Sequence, residues 1–242
     1  MLNKNRHFSL REQNTDLPHT TGFTDDSEIL LHEDDGIRQY LSGKPARFAA
    51  KDTVYNEGVE ADTVMLIRKG MVKLISYLAN GRARIVRVHS RGSWLGLEGL
   101  LGQPYDHTAI ALEDTEICRI PVSELLRVKT DNPALYCRLI ERWFIYLQEA
   151  DLWISEFSTG SIRSRVARLV NFLSEIENKA AQGEVKLLTC EEMAEILGAT
   201  PESVSRVLAD FKRNHILFPP SGIHASDCYQ RDSLALDEIA QC

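Results

Sequence analysis

At 242 residues the chain is long enough for one large domain or two small ones, each with its own core. Apolar content of 43% and charged content of 26% are those of a globular protein, and a net charge of −7 weighs against one that coats nucleic acid by charge alone. Five scattered cysteines without a CxxC pair or a secretory signal fit a reduced cytoplasmic setting, and no run approaches the roughly 20 apolar residues of a membrane helix.

Residues 1–38 are polar, carry the acidic patch Glu33-Asp34-Asp35, and read as an N-terminal extension of no legible function. From Pro45 to Pro121 the pattern is strand-like. Apolar runs at Val64–Ile67, Val72–Ile75 and Ile85–Val88 are separated by turns at Lys69-Gly70, Asn80-Gly81 and Arg91-Gly92. Asn-Gly suits a tight hairpin because both residues tolerate positive φ. Many short antiparallel strands imply a small barrel or jelly roll, here assigned to residues 39–130.

Asn132-Pro133 then opens a long helix, a cap followed by proline. Tyr136, Ile140, Trp143, Leu147, Ala150, Ile154 and Phe157 recur at alternating spacings of four and three, the seam of a helix that pairs with another helix. Either the seam packs on its own domain or it joins two copies. With Phe144 and Trp153 adding apolar surface beyond it, residues 131–157 are expected to lie on the barrel with one face and form a homodimer with another. Ser158-Thr159-Gly160-Ser161 is a hinge of small residues.

Residues 158–228 carry the clearest signal. After an amphipathic helix at Ile162–Glu177 and a short strand at Glu184–Leu187, Thr189 and Glu192 form a capping box. Met193, Ala194 and Leu197 give that helix an apolar face, and Gly198 ends it. Thr200-Pro201 starts a second helix with Val204, Val207, Leu208 and Phe211 as its buried stripe, leaving Glu202, Ser203, Ser205 and Arg206 outward at its N-terminal end. This is a helix-turn-helix layout, whose second helix reads base edges in the major groove of double-stranded DNA.

Ser158–Phe218 holds eight basic and eight acidic residues, so positive charge is clustered rather than general. It gathers at Arg163, Arg165 and Arg168 and again at Arg206, Lys212 and Arg213, as phosphate contacts require. Phe218–Gly222 suits the turn of a small wing, and residues 229–242 read as a tail with a weak helix from Asp232.

β-roll, long pairing helix and winged helix-turn-helix make an α+β chain that resembles the cyclic-AMP receptor protein/fumarate-nitrate regulator superfamily of bacterial transcription factors over residues 45–225. Three motifs carry the resemblance: Gly92–Leu100, Asn132-Pro133 and Glu202-Ser203-Val204-Ser205-Arg206. The Glu-x-x-Ser-Arg edge is similar to the fumarate-nitrate regulator branch and implies a palindrome near TTGAT-N4-ATCAA. Arginine suits guanine O6 and N7, and glutamate suits cytosine N4; the bland reading of Glu202 and Arg206 is a surface i,i+4 pair. The DNA-contacting set is Thr200, Glu202, Ser203, Ser205, Arg206, Lys212 and Arg213, and the resemblance adds RNA polymerase as a partner.

The sensory half departs from the family pattern. Where cyclic-AMP pockets carry Gly-Glu-Leu and Arg-Ser-Ala, this chain has Gly96-Leu97-Glu98 and His107-Thr108-Ala109, and without the phosphate-binding arginine cyclic AMP is not expected. An iron–sulfur cluster is not expected either, because residues 1–117 contain no cysteine. Cys118 stands where a fourth ligand would be, but one thiolate cannot hold a cluster, and it reads as a small buried residue of the last barrel strand. Trp94, Leu97, His107 and Thr108, with Tyr105 and Trp143 nearby, are the candidate effector pocket. A haem held by His89 and His107, another small effector, or no effector at all stay open. No catalytic group and no metal site is predicted: the His-x-His of a cupin-like enzyme is missing.

Overall fold

The computed structural model describes residues 43–176, 183–220 and 227–241; the expected extension at 1–38 lies outside them. Eight strands build two four-stranded antiparallel sheets. The first runs β1 (Lys44–Phe48), β8 (Thr115–Pro121), β3 (Thr63–Lys69), β6 (Trp94–Leu95); the second runs β2 (Thr53–Tyr55), β7 (Thr108–Ala111), β4 (Val72–Tyr77), β5 (Ala83–His89). Met65, Ile67 and Ile117 of the first sheet meet Val72, Leu74 and Ala109 of the second to form the inner core.

The apolar runs do not alternate with polar residues because both sheets are covered on their outer faces. Val64, Leu66 and Ile120 point out of the first sheet onto a 3-10 helix (Leu97–Leu101), α1 (Val122–Asp131) and α2 (Pro133–Ser158). Met71, Ile75, Ile85 and Val88 form the outer apolar face of the second sheet and join the core of the C-terminal unit. The Asn80-Gly81 turn joins β4 to β5 with Gly81 at φ +78°, and the Arg82 N–H donates to the Asn80 side chain at 3.0 Å.

α2 begins as the sequence predicts: the Leu135 N–H donates to the Asn132 side chain at 3.2 Å, ahead of Pro133 at the first helical turn. Its seam, however, divides into two rows. Ile140, Leu147 and Ile154 are exposed, whereas Tyr136, Trp143 and Ala150 are half-buried and Phe157 is 0% exposed. Phe144, one position after Trp143, joins the exposed row instead. The outward stripe is therefore Ile140, Phe144, Leu147 and Ile154, rotated away from the expected seam. A heptad repeat fixes spacing but not which flank faces inward, and a straight helix drifts by about 20° per heptad, so a residue three heptads along turns onto another face.

Phe157 closes an aromatic cluster with Trp153 and Phe172, at ring-centroid separations of 4.7, 5.4 and 5.7 Å, all edge to face. Phe172 belongs to α3 (Ile162–Ile176) of the C-terminal unit. That unit also contains α4 (Cys190–Leu197), α5 (Pro201–Arg213), a three-stranded sheet and α6 (Ser233–Ala240). The sheet runs β10 (Leu217–Phe218), β11 (Cys228–Arg231), β9 (Glu184–Lys186). The expected boundary at 228/229 falls inside β11, and Leu236 of α6 is fully buried in the same core. The tail is thus part of this unit, because Asp232 caps α6 and turns its apolar face inward. Ser221 and Gly222 of the expected wing turn lie outside the described residues.

Replacing Phe157 by alanine leaves a cavity at the junction of the two units, with an expected loss of about 3–5 kcal/mol. Denaturant titration of the full chain reads it. A loss below about 1 kcal/mol would return Phe157 to an exposed pairing face.

Candidate nucleic-acid interface

The turn between α4 and α5 is built from local signals. The Thr189 hydroxyl accepts from the Glu192 N–H at 3.2 Å and the Glu192 carboxylate accepts from the Thr189 N–H at 3.2 Å, closing the capping box. Gly198 ends α4 at φ +60°, a conformation that a side chain strains. Thr200 then caps α5, its hydroxyl accepting from the Ser203 N–H at 3.3 Å, with Pro201 at the first helical position.

Val204, Leu208 and Phe211 are buried and Val207 is half-buried, which fixes the rotation of α5 and leaves Glu202, Ser205 and Arg206 exposed along one edge. The Glu202 carboxyl is held below its usual range by its own backbone N–H first, then by the Thr200 hydroxyl, with Arg206 nearby as a lesser cause. It therefore stays an ionised acceptor. Thr200 and Ser203 differ from the other edge residues: their hydroxyls lie 3.1 Å apart, and Ser203 is half-buried.

α5 is clasped at its middle. Asp210 accepts from Arg163 of α3, and its carboxyl is lowered first by that hydrogen bond. Arg163 also sits 5.1 Å over the Phe211 ring. Arg213 pairs with the same carboxylate at 3.5 Å while staying exposed. Lys212 is engaged by the small sheet: its ammonium donates to the Tyr229 hydroxyl at 2.8 Å and lies 4.3 Å over that ring.

The arginine cluster at 163–168 is a correction. Besides the Arg163 clasp, Arg165 donates to the Leu197 carbonyl at 2.7 Å, and Arg168 donates to the Thr159 carbonyl at 2.9 Å and pairs with Glu156 at 3.6 Å. Their charge is spent on helix ends and on the hinge, where Gly160 takes φ +84° beside Arg168, rather than on a free phosphate-binding face. Sequence spacing carried no sign of these partners, which lie up to 47 positions away.

The effector-pocket residues do not converge. Trp94 and Leu97 are packed with Val64, Leu66 and Tyr146 beneath α2, the Trp94 N–H donating to the Tyr146 hydroxyl at 2.7 Å. Thr108 lies in the other sheet, where its hydroxyl accepts from the Glu57 N–H at 3.1 Å, and His107 is half-buried just before β7. Between the sheets, Tyr105 stacks on Tyr55 at 3.9 Å and donates to the Thr63 carbonyl at 2.8 Å. The Tyr105 phenol is pushed up to about 12, chiefly by burial. Glu98 accepts from the Asp106 N–H at 3.2 Å. With its polar groups bonded to one another and no arginine in the His107–Ala109 segment, this region does not fit a cyclic nucleotide. Cys118, Cys137, Cys190 and Cys228 are free thiols on four separate elements.

Comparison with known proteins agrees with this arrangement. The family model for the cyclic nucleotide-binding domain matches residues 45–132, and that for the Crp-like helix-turn-helix domain matches residues 167–227. The transcriptional regulator LdrP of Thermus thermophilus is 30% identical over 173 residues, covering 71% of this chain and 86% of LdrP. The transcriptional activator protein FnrA of Stutzerimonas stutzeri is 25% identical, covering 69% of each chain. Among solved structures, TTHB099 of Thermus thermophilus, a transcriptional regulator of the CRP family, is 27% identical with a TM-score of 0.67 over 81% of this chain and 97% of that one. FixK2 of Bradyrhizobium japonicum shares the fold, with a TM-score of 0.72 at 22% identity over 82% of this chain and 98% of FixK2. With a β-roll, a helix-turn-helix and a relative of this similarity over most of its length, the chain belongs to the CRP/FNR family of DNA-binding transcription regulators.

Proposed function

We propose that two copies of the chain bind a palindrome near TTGAT-N4-ATCAA, each reading one half-site through Glu202, Ser205 and Arg206. The observation that carries this reading is the exposed edge of α5, where an ionised acceptor, a small hydroxyl and an exposed guanidinium occupy one helix face. Arg206 donates two parallel bonds to the half-site guanine, and Glu202 accepts from a cytosine amine. Thr200 and Ser203, already bonded to each other, act on the backbone rather than on bases. Lys212 and Arg213 reach phosphates from the far end of α5.

Pairing uses the stripe Ile140, Phe144, Leu147 and Ile154, which leaves apolar side chains 41–61% exposed along one face of α2. Such a contiguous apolar face is the mark of a protein interface, and two α2 helices side by side would set the two reading helices about one DNA turn apart. Any signal received by the β-roll acts through α2 and the hinge at Thr159–Gly160, by changing which arrangement of the readers is populated. RNA polymerase is the expected partner of the DNA-bound dimer.

Arg206→Ala is expected to lower discrimination at the half-site guanine by about 1–3 kcal/mol, measured by competition binding with duplexes altered at that base. An unchanged preference would assign base reading to other residues. Leu147→Glu places charge in the pairing stripe. It is expected to give a monomer in sedimentation and to weaken binding to the full palindrome about 100-fold or more, through loss of the second half-site. A dimer of unaltered mass would remove α2 from the interface.

A further inference from the structure

We propose that the tip of the β4–β5 hairpin is a second contact with duplex DNA, with Arg82 donating to a backbone phosphate beside the half-site that α5 reads. The proposal rests on the DNA-reading role of α5. A cleft of about 850 Å³ separates the hairpin from the start of α5, with Leu78, Asn80, Arg82 and Arg84 on one wall and Thr200, Pro201 and Ser203 on the other. The hairpin tip therefore stands next to the end of the helix that enters the groove, where the flanking phosphates run.

Placement of the tip is fixed by the seam behind it. Lys73 of β4 pairs with Glu192 of α4 at 3.0 Å, with both side chains mostly buried. Ile85 and Val88 of β5, the other strand of the hairpin, pack into the core of the C-terminal unit. A hairpin anchored through both of its strands needs little ordering when DNA arrives, so its contact costs little entropy.

The charges on the cleft are uneven. Arg84 lies against the α4–α5 turn at Gly198, its guanidinium pushed down from the usual arginine range by burial and then by Arg165. The Arg165 Nε is buried without a hydrogen-bond partner. Glu191 and Glu195 lie on the α4 side, and Lys73 offsets Glu195. Arg82 is the exposed cation at the mouth, and among the described residues no carboxylate pairs with it. Its backbone N–H is already satisfied by Asn80, leaving the guanidinium for an external anion. Ser158–Phe218 carries no net charge and the tail that completes the unit is acidic, so a phosphate contact supplied by the roll adds charge that the unit itself lacks.

The test compares the full-length wild type with Arg82→Ala and Arg82→Lys, titrated with a palindromic and a scrambled duplex across a salt series. Arg82→Ala is expected to weaken both duplexes in the same proportion, leave base preference unchanged and reduce the salt slope by about 0.9, the value of one phosphate contact. Arg82→Lys is expected to keep the slope. An unchanged slope and affinity in Arg82→Ala would overturn the proposal and turn attention to Tyr77 and Leu78, exposed before the turn, as a protein-binding surface. Tighter binding would overturn it as well, since the hairpin would then obstruct the duplex. A wild type that binds neither duplex would instead overturn the reading of α5, with the proposal falling alongside it.

Discussion

Trp153, Phe157 and Phe172 meet edge to face in the core that the β-roll, α2 and the reading unit share. Two of these rings come from the last two turns of α2 and the third from the middle of α3, so the chain between them, Ser158–Ser161, is short and closed by packing on both sides. Edge-to-face pairs have a preferred geometry and add about 0.5–1.5 kcal/mol each beyond their buried area. They fix an angle as well as a distance. Every feature of the reading edge inherits that angle: α3 positions α5 through Arg163 and Asp210, and α2 positions α3 through this cluster.

Local signals were readable in the sequence because they act over three or four residues. The Thr189–Glu192 box, Gly198, Thr200-Pro201 and Asn132-Pro133 each satisfy a helix end from within the same turn, and the structure has all of them. The expected Glu202–Arg206 edge follows from the same periodicity. What the sequence left open needed long-range information. Lys73 and Glu192 are 119 positions apart, and nothing in either segment marks the other. The α2 seam was legible as a spacing, yet both rows are apolar, and only the sheet beneath decides that Trp143 and Phe157 turn inward while Leu147 turns outward. Trp94 and Thr108 enter the candidate pocket because their segments stand in register with those of the family's cyclic-nucleotide site. Their strands, β6 and β7, in fact belong to different sheets.

Charge in the reading unit is organised by partner rather than by region. Arg163, Arg165 and Arg168 look like a basic patch in one dimension, but each reaches a carboxylate or a helix-end carbonyl. A guanidinium at the C-terminal end of α4 meets the negative end of the helix dipole there, which suits Arg165 to a structural post. Arg82 at the mouth of the cleft and Arg206 on the outer edge of α5 are left as exposed cations, with Glu202 an exposed anion on the same edge as Arg206. A unit without net positive charge and with only a few exposed cations gains less from non-specific phosphate attraction, so more of any affinity for DNA must come from base contacts.

Glu192 joins the two halves of the molecule in a single side chain. One carboxylate oxygen accepts from the Thr189 backbone and hydroxyl, and so starts the first helix of the reader, while the other takes the Lys73 ammonium of the β-roll. Around it the seam mixes gain and cost: apolar contact from Ile85 and Val88 favours docking, whereas the burial of Arg84 near Arg165 opposes it. A half-buried ion pair adds little net stability once desolvation is counted, so the seam is held mainly by apolar area and is opposed by its own arginines. An interface balanced in this way has no large excess of stability on either side, and its cross-seam ion pair at Glu192 ends on the cap of the helix that precedes the reading turn. The same side chain that caps the first helix of the helix-turn-helix also ties that helix to the β-roll.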